Sequence, residues 1–245
     1  MSQRLTLPFK TLLVTAGYKH PDYYAYHEMI HYGVDCYDPN THDVLALGDG
    51  EVIAAGQDGP TTTGKLSRLG LVTVIIYRDV LCNNGKVCDL VARTYHHAKV
   101  QVKAGDKVKR GQVIAQYGNT GANTTGPHLH IEFDTDTKFP TLAYGVSVTA
   151  NNRIINTLAE YKRAGGLADS TIDPDDVWFV GEGQTIKGYS GGWYNPDDVE
   201  APEMPQDGPD YAALYESVVA ERDAIRADYN GLISDLQMLM NKYKG

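Results

Sequence analysis

The run LVTVIIYRDVL at residues 71–81 restricts the possible fold more than any other stretch of this chain. Its β-branched residues follow one another without the three-and-four spacing that gives a helix one apolar face. The turn residues NNG come next, and VCDLVARTYHH at 87–97 then resumes a strand-like pattern. Two such runs around a glycine turn predict a β-hairpin. Upstream, DVLALGDGEVIAAGQDG from Asp43 alternates and breaks at Gly-Asp-Gly, which predicts two short strands joined by a tight turn. Downstream, VQVKAGDKVKRGQVIAQYG gives further short strands punctuated by Gly105, Gly111 and Gly118. HLHIEFD at 128–134 alternates with period two, so His128, His130 and Glu132 share one face. The expected fold is mainly β, an antiparallel sheet with glycine turns.

The texture changes beyond Asp136. NRIINTLAEYKRAGG predicts a short helix ended by Gly165 and Gly166, and STIDPDDVWFVGEGQTI a closing strand or loop. Residues 191–209, rich in Pro, Gly and acid, read as a linker. From Asp210, a plausible N-cap, apolar or aromatic residues recur in steps of four and three from Tyr211 to Tyr243, with Arg222 in one seam position. That spacing predicts a C-terminal helix over 210–245 that self-associates as a coiled coil. The organisation expected is a domain over 1–190, with core motifs at 15–134 and an extension at 135–190, then linker and helix.

A net charge of −9 argues against nucleic acid as the main partner, because phosphate binding needs a concentrated basic face. The densest basic run, residues 99–111, alternates Val with Lys and reads as a half-buried strand with a solvated face. No apolar run approaches the ~20 residues needed to cross a bilayer. The first residues, MSQRLTLPFKTLLVTAG, make a poor secretory signal, their apolar segment being broken by Pro8 and Lys10. Of three cysteines, Cys82 and Cys88 flank the hairpin turn at disulfide-permitting spacing, and Cys36 reads as a small buried hydrophobe.

Four of the eight histidines form a suggestive set. His31 and Asp35 in HYGVD lie four apart, on one side of either a strand or a helical turn, and His128 and His130 lie two apart on one strand face. Two imidazoles and a carboxylate suit Zn²⁺ in an open catalytic site. Each pair alone is weak; the combination is strong. In order along the chain, HYGVD, VLALGDGEVIAAG, TYHHAKVQVKAGDKVKRGQVIAQYGNTG and TGPHLHIEF resemble blocks of the lysostaphin/LytM-type zinc metallopeptidases, which cleave peptide bonds in bacterial peptidoglycan. The resemblance covers residues 15–133.

The resemblance implies His31, Asp35 and His130 as metal ligands, with one zinc per chain, and His97 and His128 as catalytic histidines. His97 is taken as the third residue of Tyr95-His96-His97, because strand neighbours point to opposite faces; a one-residue bulge would select His96 instead. Glu132 is expected to be structural or solvent-facing. His20, His27 and His42 match no block, although His20 or His27 could border the groove, as could Tyr23, Tyr24 and Tyr26. The implied reaction is metal-assisted amide hydrolysis of a peptidoglycan peptide at the bacterial cell wall, the protein being phage-associated or released by a non-classical route. The competing reading is a catalytically silent binding, structural or regulatory module of the same fold. No HExxH motif is present, which sets the chain apart from metallopeptidases that use a helix-borne glutamate.

Overall fold

The computed structural model describes residues 2–59, 68–144, 153–163 and 169–193. The expected linker beyond Trp193 and the expected helix at 210–245 lie outside these residues. Within them the chain is mainly β. Its principal sheet has eleven strands, and the continuous path runs through Thr185–Trp193, Thr11–Ala16, Val34–Tyr37, Leu129–Asp134, Val87–Val100, Leu71–Leu81, Gly50–Gln57 and Lys107–Val108. Neighbours pair antiparallel, except that Thr185–Trp193 joins Thr11–Ala16 in parallel at one edge. Two small parallel pairs lie apart from it, so the fold is mixed at its margins and antiparallel where the site is built.

The hairpin expected around NNG is present, with Leu71–Leu81 paired along Val87–Val100. Its apolar run does not alternate because both of its faces are buried. Ile75 and Tyr77 enter one core with Ala92, Ile131 and Phe133. Val72, Val74 and Ile76 enter a second with Val91 and Tyr95, covered by Ala143 and Ile155 from the extension after Asp134. The extension therefore closes the second face of the sheet. The expected short helix is there as well, at Leu158–Arg163.

The two strands around Gly-Asp-Gly form as expected but do not pair with each other. Asp43–Leu45 pairs with Val113–Tyr117, while Gly50–Gln57 lies between Leu71–Leu81 and Lys107–Val108. The turn thus carries the chain from one sheet region to another rather than closing a hairpin. The basic run at 99–111 is a solvated edge, with Lys107 paired to Glu51 and Lys109 to Asp49. Cys36 is fully buried, and Cys82 and Cys88 stand with their sulfurs 3.8 Å apart as thiols.

Register sets up everything that follows. In the strand order, Val34–Tyr37 and Val87–Val100 flank Leu129–Asp134, with His130 opposite Asp35 on one side and opposite Tyr95 on the other. Gly33 allows this crossing: a Cβ there would lie 2.7 Å from His130 Nε2 and would strike the Ile131 carbonyl.

Candidate metal centre

His31 sits in the loop before Val34–Tyr37 and is held by its backbone environment. Its Nδ1–H donates to the Gly17 carbonyl at 2.8 Å, and the Tyr23 ring stacks on it at 4.3 Å between centroids. With Nδ1 protonated, Nε2 keeps a lone pair. On the neighbouring strand, His130 donates Nε2–H to Glu132 Oε1 at 3.2 Å, which leaves Nδ1 as the acceptor. Asp35 Oδ1 is the third acceptor, 2.8 Å from His130 Nδ1 and 3.2 Å from His31 Nε2; the two nitrogens are 3.1 Å apart. The three ligand atoms all lie within 4.8 Å of one another.

Three lone pairs converging in this way fit a metal cation, each imidazole being fixed in the metal-binding tautomer by an acceptor behind it. A metal held by these two nitrogens and one carboxylate oxygen would keep a further position for water or substrate. Electrostatics agree. Burial opposes ionisation of Asp35, yet the charges of His31 and His128 and the bonds from His130 and His31 hold its carboxyl well below the usual range. Burial likewise opposes a charged His130, but its bonds to Asp35 and Glu132 push its pKa up to about 9. The pocket favours positive charge.

Behind the ligands stands a buried ion network. Arg93 Nε donates to Glu132 Oε2 at 2.9 Å and Arg93 Nη2 donates to Asp134 Oδ2 at 2.8 Å. The Tyr95 hydroxyl donates to Glu132 Oε2 at 3.0 Å, and its ring stacks on His130 with an interplanar angle of 7°. Arg93 is wholly buried and Glu132 nearly so. Glu132 is therefore no solvent-facing strand end; it is the group that orients a ligand. Alternation along HLHIEFD correctly placed it on the His130 face, but nothing in that stretch announces the arginine arriving from the next strand.

The histidine doublet resolves against the strand-alternation reading. His96 has φ +66°, a left-handed conformation that few non-glycine residues adopt, and the pairing shifts register around it. Tyr95 and His96 consequently lie on the same face of the sheet. His97 is thrown to the opposite face, fully buried, with its ring against the Thr94 hydroxyl at 2.7 Å. The structure thus brings His96, not His97, to the site. Burial pushes the His97 pKa down to about 3, with His96 adding to the effect.

His96 and His128 face each other across the groove, ring centroids 4.9 Å apart. His96 Nδ1–H donates to the Thr120 carbonyl at 3.0 Å, and His128 Nδ1–H to the Gly126 carbonyl at 2.8 Å. These bonds fix both ring orientations, and His128 Nε2 lies 3.5 Å from Asp35 Oδ1. Burial and then the neighbouring His128 and His130 push the His96 pKa down to about 4, so it is neutral at pH 7. Both partner carbonyls belong to the glycine- and threonine-rich loop 118–127. Thr120 also fixes this loop to the hairpin, accepting from Leu71 N–H and donating to the His97 carbonyl, and it packs where any side chain on Gly70 (φ +73°) would collide.

These side chains open onto a groove of about 690 Å³. Its walls include Tyr23 and His27 from the Pro21–His27 helix, residues 122–127 of the loop, Arg68, and Tyr144 from the extension. His20 is buried elsewhere, Tyr24 points to solvent, and His42 stacks on Tyr117 away from the metal ligands.

The segment that carries this arrangement is similar to known proteins. Residues 29–140 match Peptidase family M23. The glycyl-glycine endopeptidase ALE-1 of Staphylococcus capitis is 38% identical over 104 residues, 42% of this chain and 24% of that protein. The peptidoglycan DD-endopeptidase ShyB of Vibrio cholerae is 37% identical over 102 residues, 42% of this chain and 20% of that protein. The catalytic domain of lysostaphin from Staphylococcus simulans is 30% identical, with 44% of this chain aligned to 69% of it at a TM-score of 0.33. The chain thus spans about a quarter or less of the length of these two curated relatives. His31, Asp35 and His130, both groove histidines and the loop that holds them all fall inside the matched segment, and it is through that segment that the chain is similar to peptidase family M23.

Proposed function

We propose that this domain is a zinc-dependent endopeptidase that hydrolyses an amide bond in the peptide part of bacterial peptidoglycan. The observation that carries the reading is the pairing of a convergent two-nitrogen, one-oxygen set with two further imidazoles, His96 and His128, beside it in one groove. His31, Asp35 and His130 hold the metal, and their borderline donor set suits zinc. Bound there, zinc supplies Lewis acidity, polarising a carbonyl and lowering the pKa of water towards ~7.

The chain's own residues handle the proton. Hydrolysis takes a proton from water as the C–O bond forms and delivers one to nitrogen as the C–N bond breaks. A neutral imidazole can do both in turn. His128 stands beside the metal ligands and His96 one ring farther out, so His128 is the nearer to attacking water and His96 the nearer to the far side of the scissile bond. Their Nδ1 hydrogens are anchored on carbonyls of one loop, which fixes both rings before substrate arrives. The names of ALE-1 and ShyB support peptide and peptidoglycan as the substrate class. The heptad-spaced 210–245 segment is read as a self-association helix attached through the linker.

Digestion of purified cell walls by the zinc-loaded protein, with mass analysis of the released peptides, tests the reading. New amino termini at one peptide position are expected, abolished by chelation. His96→Ala should retain about one zinc per chain and lose turnover, whereas His130→Ala should lose both. Zinc-loaded protein that releases nothing from walls of either the bridged or the directly cross-linked type would refute it.

A further inference from the structure

Arg68 is the one groove-lining residue, among those described, that carries a permanent positive charge. Its surroundings make that charge conspicuous. The chain as a whole is acidic, at −9. The two carboxylates lining the groove are both engaged elsewhere: Asp35 with His31, His128 and His130, and Glu132 with Arg93, Tyr95 and His130. Among the described residues, the ion pairs of the structure do not include Arg68.

The position of Arg68 is fixed even though its side chain is exposed. Its carbonyl accepts from Asn123 N–H at 3.0 Å, and the next carbonyl, that of Leu69, accepts from His96 N–H at 3.0 Å. Any side chain on Gly70 would strike Thr120, and a Cβ on Gly121 would come within 2.5 Å of the Arg68 carbonyl. The backbone of Arg68 is thus clamped between His96 and the loop that also holds His128. The backbone that carries the guanidinium is therefore set relative to the two imidazoles, and Asn123, Thr124 and Thr125 line the same groove. A planar fork of donors in a groove whose described acids are already paired is complementary to a carboxylate.

We propose that Arg68 is a specificity-determining residue that pairs with a carboxylate of the peptide substrate, so that the groove selects peptides carrying a free carboxylate near the scissile bond. The proposal rests on the peptidase reading above and names its substrate class more narrowly. In a peptidoglycan stem with lysine as its third residue, such a carboxylate is either the chain terminus or the α-carboxyl left by a γ-linked glutamate, and the two are chemically alike at this site.

Binding of the stem tetrapeptide alanyl-γ-glutamyl-lysyl-alanine to the full zinc-loaded chain, measured calorimetrically, tests it without requiring turnover. Three forms are compared: the free acid, the C-terminal amide, and the form with the glutamate α-carboxyl amidated. Wild type should bind the free acid about tenfold more tightly than one of the two amides, and which amide fails identifies the source of the carboxylate. Arg68→Gln should bind all three alike, at the level of the weaker amide, with zinc content and melting temperature unchanged. Equal binding of acid and both amides by wild type, absence of binding to all three, or a preference surviving in Arg68→Gln would overturn the proposal. Cell-wall digestion continuing in any of those cases would leave the peptidase reading intact and sink only the role of Arg68.

Discussion

At the scale of single residues, His96 and His97 show how one backbone torsion divides labour between identical side chains. Placing His96 at φ +66° turns its ring towards the groove and sends the next imidazole into the core. The cost of a left-handed non-glycine residue, on the order of 1–3 kcal/mol, is typical of functional sites held by their surroundings. Here the surroundings are the Leu69 carbonyl on His96 N–H and the Thr120 carbonyl on its ring. Strand periodicity counted from Tyr95 selects the wrong histidine because it assumes an unbroken pleat, and no residue type in TYHHA marks the break. His97 gives a pH test. Its folded pKa of about 3 lies below the ordinary 6.5, so the unfolded chain binds the extra proton between those values. Stability should therefore be fully present above about pH 6.5 and decline as pH falls towards about 3, by on the order of a few kcal/mol from this group. Urea unfolding of wild type and His97→Gln from pH 7.5 down to 4.5 should show the variant losing less with acid. Parallel curves would remove His97 from the account.

At the scale of the element, the strand Leu129–Asp134 works as a layered device. His128 and His130 reach the groove, Glu132 lies behind them, and Arg93 of the adjacent strand ties Glu132 to Asp134. Alternation in HLHIEFD made the shared face legible from sequence. The order of the layers was not, since Glu132 is paired across the sheet with a residue 39 positions away. Glu132→Gln keeps the shape and one acceptor oxygen while removing the charge that fixes the His130 tautomer and balances Arg93. Zinc affinity, measured by chelator competition, should fall about 10–100-fold, the usual effect of losing a partner behind a metal ligand. Unchanged affinity would show that the Tyr95 stack alone orients His130.

At the scale of the molecule, the sheet was readable because its strands are short, turn-bounded and β-branched. The double burial of Leu71–Leu81 explains why that stretch lacks alternation, and the covering layer comes from the extension, whose packing role has no local signature. The convergence of His31, Asp35 and His130 was readable through their block pattern, whereas the groove was only partly so. Arg68, Tyr144 and the loop 122–127 meet through tertiary contact, and no spacing rule links them. The expected coiled coil makes its own prediction. Removing residues 210–245 should lower the mass measured by light scattering while zinc content and peptide release from cell walls persist. A mass per particle unchanged apart from the deleted residues would exclude self-association through that segment.

The direct opposition of His130 and Asp35 across adjacent strands, 95 residues apart in the chain, also makes the metal a witness to folding. A slip of one residue between those strands would keep most hydrogen bonds of the ladder and much of the circular dichroism, yet it would turn one ligand to the far face. Cation retention therefore reads out strand alignment directly. If the proposed metal is held there, its loss with preserved β content, in variants that keep all three ligand residues, would mark a sheet that has closed one residue out of step.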